Sequence, residues 1–156
     1  MKKFFALILA VVMMLSVAAF AEEADTTATV MTHEEFVAAE LESEVTVETY
    51  VQDKQSWWDN KATFYCQSED GAYFIYEMPC TEDEYAQLVP GTKIRVTGYK
   101  AEWSGEVEIT DATFEILEAD PYIAEATDVT ELLGTDELIN HQNEKVAFTG
   151  LTVEAY

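Results

Sequence analysis

Residues 88–117, LVPGTKIRVTGYKAEWSGEVEITDATFEIL, decide how this chain folds. Pro90-Gly91 is a tight turn, and Ile94, Val96 and Gly98 then alternate with polar neighbours. Gly105 closes a hairpin tip, after which Val107 and Ile109 alternate in the same way. The stretch is a β-hairpin with one inner face. Upstream, two more strand-like runs meet at Glu69-Asp70-Gly71, and Thr81 to Leu88 is a short polar segment able to form a helix. The order strand, strand, strand, helix, strand, strand is that of a mainly β, five-stranded barrel.

Further upstream, Thr32 stands three residues before Glu35, the spacing of a capping box. Phe36, Val37, Ala39 and Leu41 supply the apolar stripe of a short N-terminal helix. Val45, Val47, Thr49 and Val51 then alternate with Thr46, Glu48 and Tyr50, which predicts a first strand with one buried face. A polar loop, Asp53 to Asn60, carries adjacent Trp57 and Trp58 before strands over Lys61–Gln67 and Ala72–Met78. A three-residue turn with a left-handed Gly71 would set Cys66 opposite Phe74. It would put Phe64, Cys66, Phe74, Tyr76 and Met78 on one face, and Thr63, Tyr65, Tyr73, Ile75 and Glu77 on the other.

The first 21 residues have a basic start at Lys2-Lys3, an apolar block from Phe4 to Leu15 and an Ala19-Phe20-Ala21 site. That is the pattern of a secretory signal peptide, and it predicts an extracellular or periplasmic protein. The apolar block is short for a membrane span and nothing later resembles one, so no stable membrane insertion is expected after cleavage. No Cys follows the site to take a lipid anchor. Residues 22–31 form a polar leader. Beyond residue 21 the chain keeps 31 acids and six bases, a net charge of 6 − 31 = −25. Lys93, Arg95 and Lys100 are the only local concentration of positive charge, which disfavours nucleic acid as a partner. The rest of the acidity suits a soluble, self-repelling exterior.

After Asp120-Pro121 the pattern begins afresh. Thr135–Asn143 is a potential helix and Lys145–Tyr156 a potential strand, matching Thr32–Ser43 and Glu44–Val51 with a one-residue offset. Residues 32–119 therefore read as one domain, and 120–156 as the opening of a second, incomplete copy or as a helix and strand that only imitate one. A partner domain beyond Tyr156 would complete the copy. Cys66 and Cys80 could bridge in an oxidising compartment, but the strand register sets them far apart unless the chain folds back at Pro79.

Leu88 to Gly98, followed by Gly105 to Ile109, resembles the last two strands of secreted bacterial OB-fold modules. Some of these are stand-alone periplasmic proteins with a helix before the first strand; others are accessory domains of extracellular enzymes. The likeness runs over residues 32–117, with Thr49 where many such modules have glycine and Gly150 at the comparable place of the second copy. It implies a binding or assembly module and brings no catalytic residues with it.

Sites on such barrels lie across the second and third strands, flanked by the loops joining strands one to two and four to five. Trp57 and Trp58 fall in the first loop, Trp103 in the second, read as Tyr99–Ser104, with Tyr65 and Tyr73 on the strand face between. These five rings form the candidate ligand surface, suited to stacking on a neutral saccharide or a peptide. Tryptophans at barrel ends also serve as inward plugs, the arrangement of a structural or assembly module. Single-stranded nucleic acid is a third reading, carried only by Lys93, Arg95 and Lys100. No catalytic set is legible: His33 and His141 have no readable Ser, Cys or Asp partner, and in a chain with 31 acids a pair of carboxylates carries no signal. Glu82-Asp83-Glu84 suits a helix start and lacks calcium-loop spacing, so no metal or cofactor is expected.

Overall fold

The computed structural model describes residues 29–152 and Glu154. The signal segment and the leader up to residue 28 lie outside the described residues. The elements run α1 (His33–Ala38), β1 (Glu44–Lys54), β2 (Lys61–Gln67), β3 (Ala72–Pro79), α2 (Glu82–Gln87), β4 (Lys93–Trp103) and β5 (Glu106–Ile116). The strands close in the order β1-β2-β3-β5-β4, with β4 returning to β1. β3 and β5 run parallel and the other neighbours antiparallel. This is the OB barrel expected from the hairpin outward.

Both helices start on the same device. Glu35 N–H donates to the Thr32 hydroxyl while Thr32 N–H donates to the Glu35 carboxylate, and Thr81 with Glu84 repeats the pair. Neither helix has a base in its last turn. Each borrows one from a strand. Lys100, on β4, donates to the carbonyls of Phe36, Val37 and Ala39 at 3.0, 2.7 and 2.8 Å, and Lys54, on β1, donates to the carbonyl of Tyr85. A cation at a helix C-terminus satisfies carbonyls that have no partner within the helix. Of the stripe expected on α1, only Phe36 is fully buried; Val37 faces solvent from within the helix, and Leu41 lies beyond its end at Ala38 and is exposed as well.

Alternation carries the core. Val45, Val47, Thr49 and Val51 of β1 point inward as expected, as do Ile94, Val96 and Gly98 of β4. Lys100 continues the same inward parity, so it is 6% exposed and forms no part of a surface patch.

The β2–β3 register differs from the expectation by one residue. Cys66 pairs with Tyr73, and the turn holds the four residues Ser68 to Gly71, closed by Ser68 N–H to the Gly71 carbonyl at 2.9 Å. Tyr73 and Ile75 therefore enter the core beside Phe64 and Cys66, while Phe74 and Tyr76 turn outward. A one-residue slip exchanges the two faces of a strand. A bulge restores the parity: Glu77 takes φ 45° and gives its N–H to the buried Thr63 hydroxyl at 3.1 Å, and Met78 returns inward. Gly71 is not left-handed. It is needed because the His33 ring lies against it, and a Cβ there would sit 2.1 Å from His33 Cγ.

β4 and β5 are longer than expected and meet in a two-residue turn, Ser104-Gly105, both at positive φ. The segment Tyr99–Trp103 is thus strand, not loop. Halfway along, the β5 register slips by one opposite Gly98, where Asp111 takes φ 49°. A Cβ on Gly98 would meet the Thr110 carbonyl at 2.7 Å, so glycine lets the two strands bend together at the bulge.

Beyond the barrel lie β6 (Thr127–Asp128) and β7 (Val146–Ala147), which pair in parallel as a separate two-stranded sheet. Between them, the expected helix is a 3-10 turn, Asp136–His141, begun by the Thr135 hydroxyl. Side-chain amides hold this segment to the barrel. Gln52, the bulged residue of β1, accepts from Ala124 N–H and donates to the Tyr122 carbonyl. Gln142 accepts from Val107 N–H at 2.9 Å, and Asn143 donates to the Val107 carbonyl at 3.3 Å, so that two amides take the place of a strand beside the start of β5. Cys66 and Cys80 are buried free thiols, and burial pushes the Cys66 thiol up.

Candidate functional site

The outward register of the sheet assembles one continuous face. Tyr65 pairs with Phe74, Phe74 with Glu108, and Glu108 with Ala101, a row crossing β2, β3, β5 and β4. The Tyr65 and Phe74 rings lie 5.3 Å apart, and Phe74 stacks towards Tyr76 at 6.4 Å. At the edge of the row the β4–β5 hairpin pairs Trp103 with Glu106. Phe74, Tyr76, Trp103, Glu106 and Glu108 line an open-sided groove of about 480 Å³. Trp103 is 75% exposed, although a large apolar ring is normally withdrawn from water. Glu108 is held above the usual carboxylate range, first by burial and then by the negative charge of Glu106.

The five rings read from the sequence separate. Tyr65 and Trp103 stand on this face. Tyr73 does not, being 1% exposed and packed edge-on against Phe36 and His33 at the α1 end of the core. Trp57 is half-buried against the core, with its indole N–H donated to the Cys80 carbonyl at 2.9 Å, so it closes the α2 end. Trp58 is 70% exposed on the turn before β2 and has the Lys61 ammonium over its ring at 5.8 Å. Phe74, Tyr76, Glu106 and Glu108 were not singled out by sequence reasoning. A four-residue turn would have exposed the first two.

All six bases beyond Lys3 have partners. Lys93 and Arg95 converge on Glu48, with Arg95 also reaching Glu115, and Lys61 pairs with Glu77. Lys54, Lys100 and Lys145 donate to backbone carbonyls. The expected concentration of Lys93, Arg95 and Lys100 is thus one neutralised cluster and one buried helix cap. Among the described residues, no group of three His, Cys, Asp or Glu could hold a metal, and no helix is long and apolar enough to cross a membrane.

The hydrogen bond from Lys93, opposed in part by burial and reinforced by Arg95, holds the Glu48 carboxyl below the usual range. Its stabilising contribution is full above the ordinary glutamate pKa and is lost as pH falls through the folded value. Glu48→Gln is therefore expected to lower stability at neutral pH. The deficit should close as pH drops below about 4.5, checked by urea denaturation across that range. A deficit that stays constant into acid would show that Glu48 acts by shape rather than charge.

No family model matches the chain, and no curated protein matches it. Among solved structures the fold is similar to the p204 HINb domain, at 10% identity over 57% of this chain and 47% of that one, with a TM-score of 0.46. It is also similar to the OB domain, residues 67–166, of MM0293 from Methanosarcina mazei. That likeness has 10% identity over 56% of this chain and 84% of that one, with a TM-score of 0.42. The chain spans about half the length of the first of these.

Proposed function

We propose that the chain is a secreted, non-catalytic OB module that holds a saccharide or peptide ligand on the face running from Tyr65 to Trp103. The observation that carries this reading is the convergence of Phe74, Tyr76 and the exposed Trp103 on one groove on the outside of the barrel. Rings on a rigid sheet offer flat contact area with little conformational entropy to lose. Secretion is supported by the basic, apolar and small-residue pattern of residues 1–21. A non-catalytic role fits an outer face with no histidine, thiol or paired nucleophile beside the groove.

A polynucleotide suits the face less well. Phosphate recognition needs free Lys or Arg, and all six bases are occupied while two carboxylates stand in the groove.

Titration with oligosaccharides, short peptides and single-stranded oligonucleotides, followed by tryptophan emission, tests the reading. One class is expected to bind, and Trp103→Ala should weaken that binding at least about tenfold while leaving the unfolding midpoint nearly unchanged. Binding indifferent to Trp103→Ala, or no binding by any class, would sink the groove as the ligand site.

A further inference from the structure

We propose that the groove takes an arginine side chain presented by a basic peptide, its guanidinium stacked on Trp103 and forked onto Glu106 and Glu108. The inference rests on the groove reading above and specifies what fills it.

Elsewhere on the sheet, three carboxylates are answered by bases of the chain, and Glu44, Asp53, Glu102 and Asp111, which form no ion pair among the described residues, are exposed to water. Glu48 meets Lys93 and Arg95, Glu77 meets Lys61, and Glu115 meets Arg95. Glu106 and Glu108 lie two residues apart on one face of β5, and among the described residues neither carboxylate has a hydrogen-bond or ion-pair partner. Burial and mutual repulsion already disfavour charge on Glu108. A neutral ligand seated there would bury both carboxylates further with nothing to compensate them. A cationic ligand removes that cost, and the rings around it favour a cation over their faces.

The chemistry of the groove also selects among cations. A calcium ion requires six to eight oxygen ligands, whereas this site offers two carboxylates among three aromatic rings. An ammonium is compact and strongly hydrated. A guanidinium is planar, stacks on an aromatic face and donates in a fork to carboxylates. The neighbouring Tyr65 and Phe74 extend the apolar strip along the sheet, where the adjacent residues of an extended peptide can lie. The chain's overall charge of −23 favours approach of such a peptide, and the two carboxylates would fix its register.

The test uses a short, end-blocked peptide bearing one arginine, the same peptide with neutral citrulline in its place, and a neutral oligosaccharide. Each is titrated against the wild-type chain, Trp103→Ala, Glu106→Gln/Glu108→Gln, and the control Glu118→Gln/Glu125→Gln, which removes the same charge outside the groove. The arginine peptide is expected to bind about tenfold or more tightly than its citrulline twin. The groove double variant should abolish that preference and the control should retain it.

If the citrulline peptide or the sugar binds as well as the arginine peptide, still through Trp103, the arginine inference fails and the groove reading stands. Equal weakening by both double variants would mean attraction by the general field and would also overturn it. If no probe senses Trp103→Ala, both readings fail together.

Discussion

Tyr73→Ala is expected to lower the unfolding free energy by about 3 to 5 kcal/mol, while Phe74→Ala, one position along, should cost less than about 1 kcal/mol. The contrast follows from the register. Tyr73 is 1% exposed and its ring packs 5.1 Å from Phe36 and 5.3 Å from His33, so truncation opens a cavity beneath α1. Phe74 stands on the outer face, where removing its ring leaves the barrel interior untouched. Urea denaturation of the two variants measures both costs. Equal costs, or the reverse order, would favour the three-residue turn and refute the pairing of Cys66 with Tyr73.

The second large effect is expected at Lys100. Lys100→Met keeps the aliphatic stem but removes the ammonium that holds three carbonyls at the end of α1. Those bonds are charge-assisted and largely buried, and losing them should cost about 3 kcal/mol. Lys100→Arg would not restore the arrangement, because a planar fork cannot reach three converging carbonyls as a rotating ammonium does. The loss should be local as well as large. Hydrogen exchange at the Ala39 amide, bonded to the Glu35 carbonyl, should accelerate more than exchange at strand amides such as Val51. Uniform acceleration would show that the lysine supports the barrel as a whole rather than the helix.

Those two residues also mark how far the sequence could be read. Local signals succeeded wherever a residue type serves a single purpose. Thr32 with Glu35 marked a helix start, Pro90-Gly91 and Gly105 marked turns, and the alternation through Val45 to Val51 and Ile94 to Gly98 marked inward faces. Register was less legible because Glu69-Asp70-Gly71 suits a three- or a four-residue turn, and aromatic residues flank both parities of β3. The contact that makes Gly71 a glycine is the His33 ring, distant in sequence and invisible to turn chemistry. The same one-residue ambiguity hid Phe74 and Tyr76 from the candidate site and put Tyr73 into it. Lys100 looked like surface charge because a base on an apolar parity is uncommon, and its destination, the end of a six-residue helix, is a tertiary fact. For Trp57, Trp58 and Trp103, side-chain direction depends on what each meets in space, and only Trp57 meets a buried carbonyl.

The paired amides of Gln142 and Asn143 on Val107 bear on the protein's behaviour in concentrated solution. β3 and β5 pair through only Phe74 with Glu108 and Ile75 with Ile109, so the start of β5 has backbone groups that its neighbour in the sheet does not cover. Open strand edges recruit strands from other molecules and seed aggregation. Gln142 and Asn143 cover both polar groups of Val107 without offering a new backbone edge in exchange. An acidic exterior discourages encounters between molecules, and this cover leaves those that do occur with one fewer place to propagate.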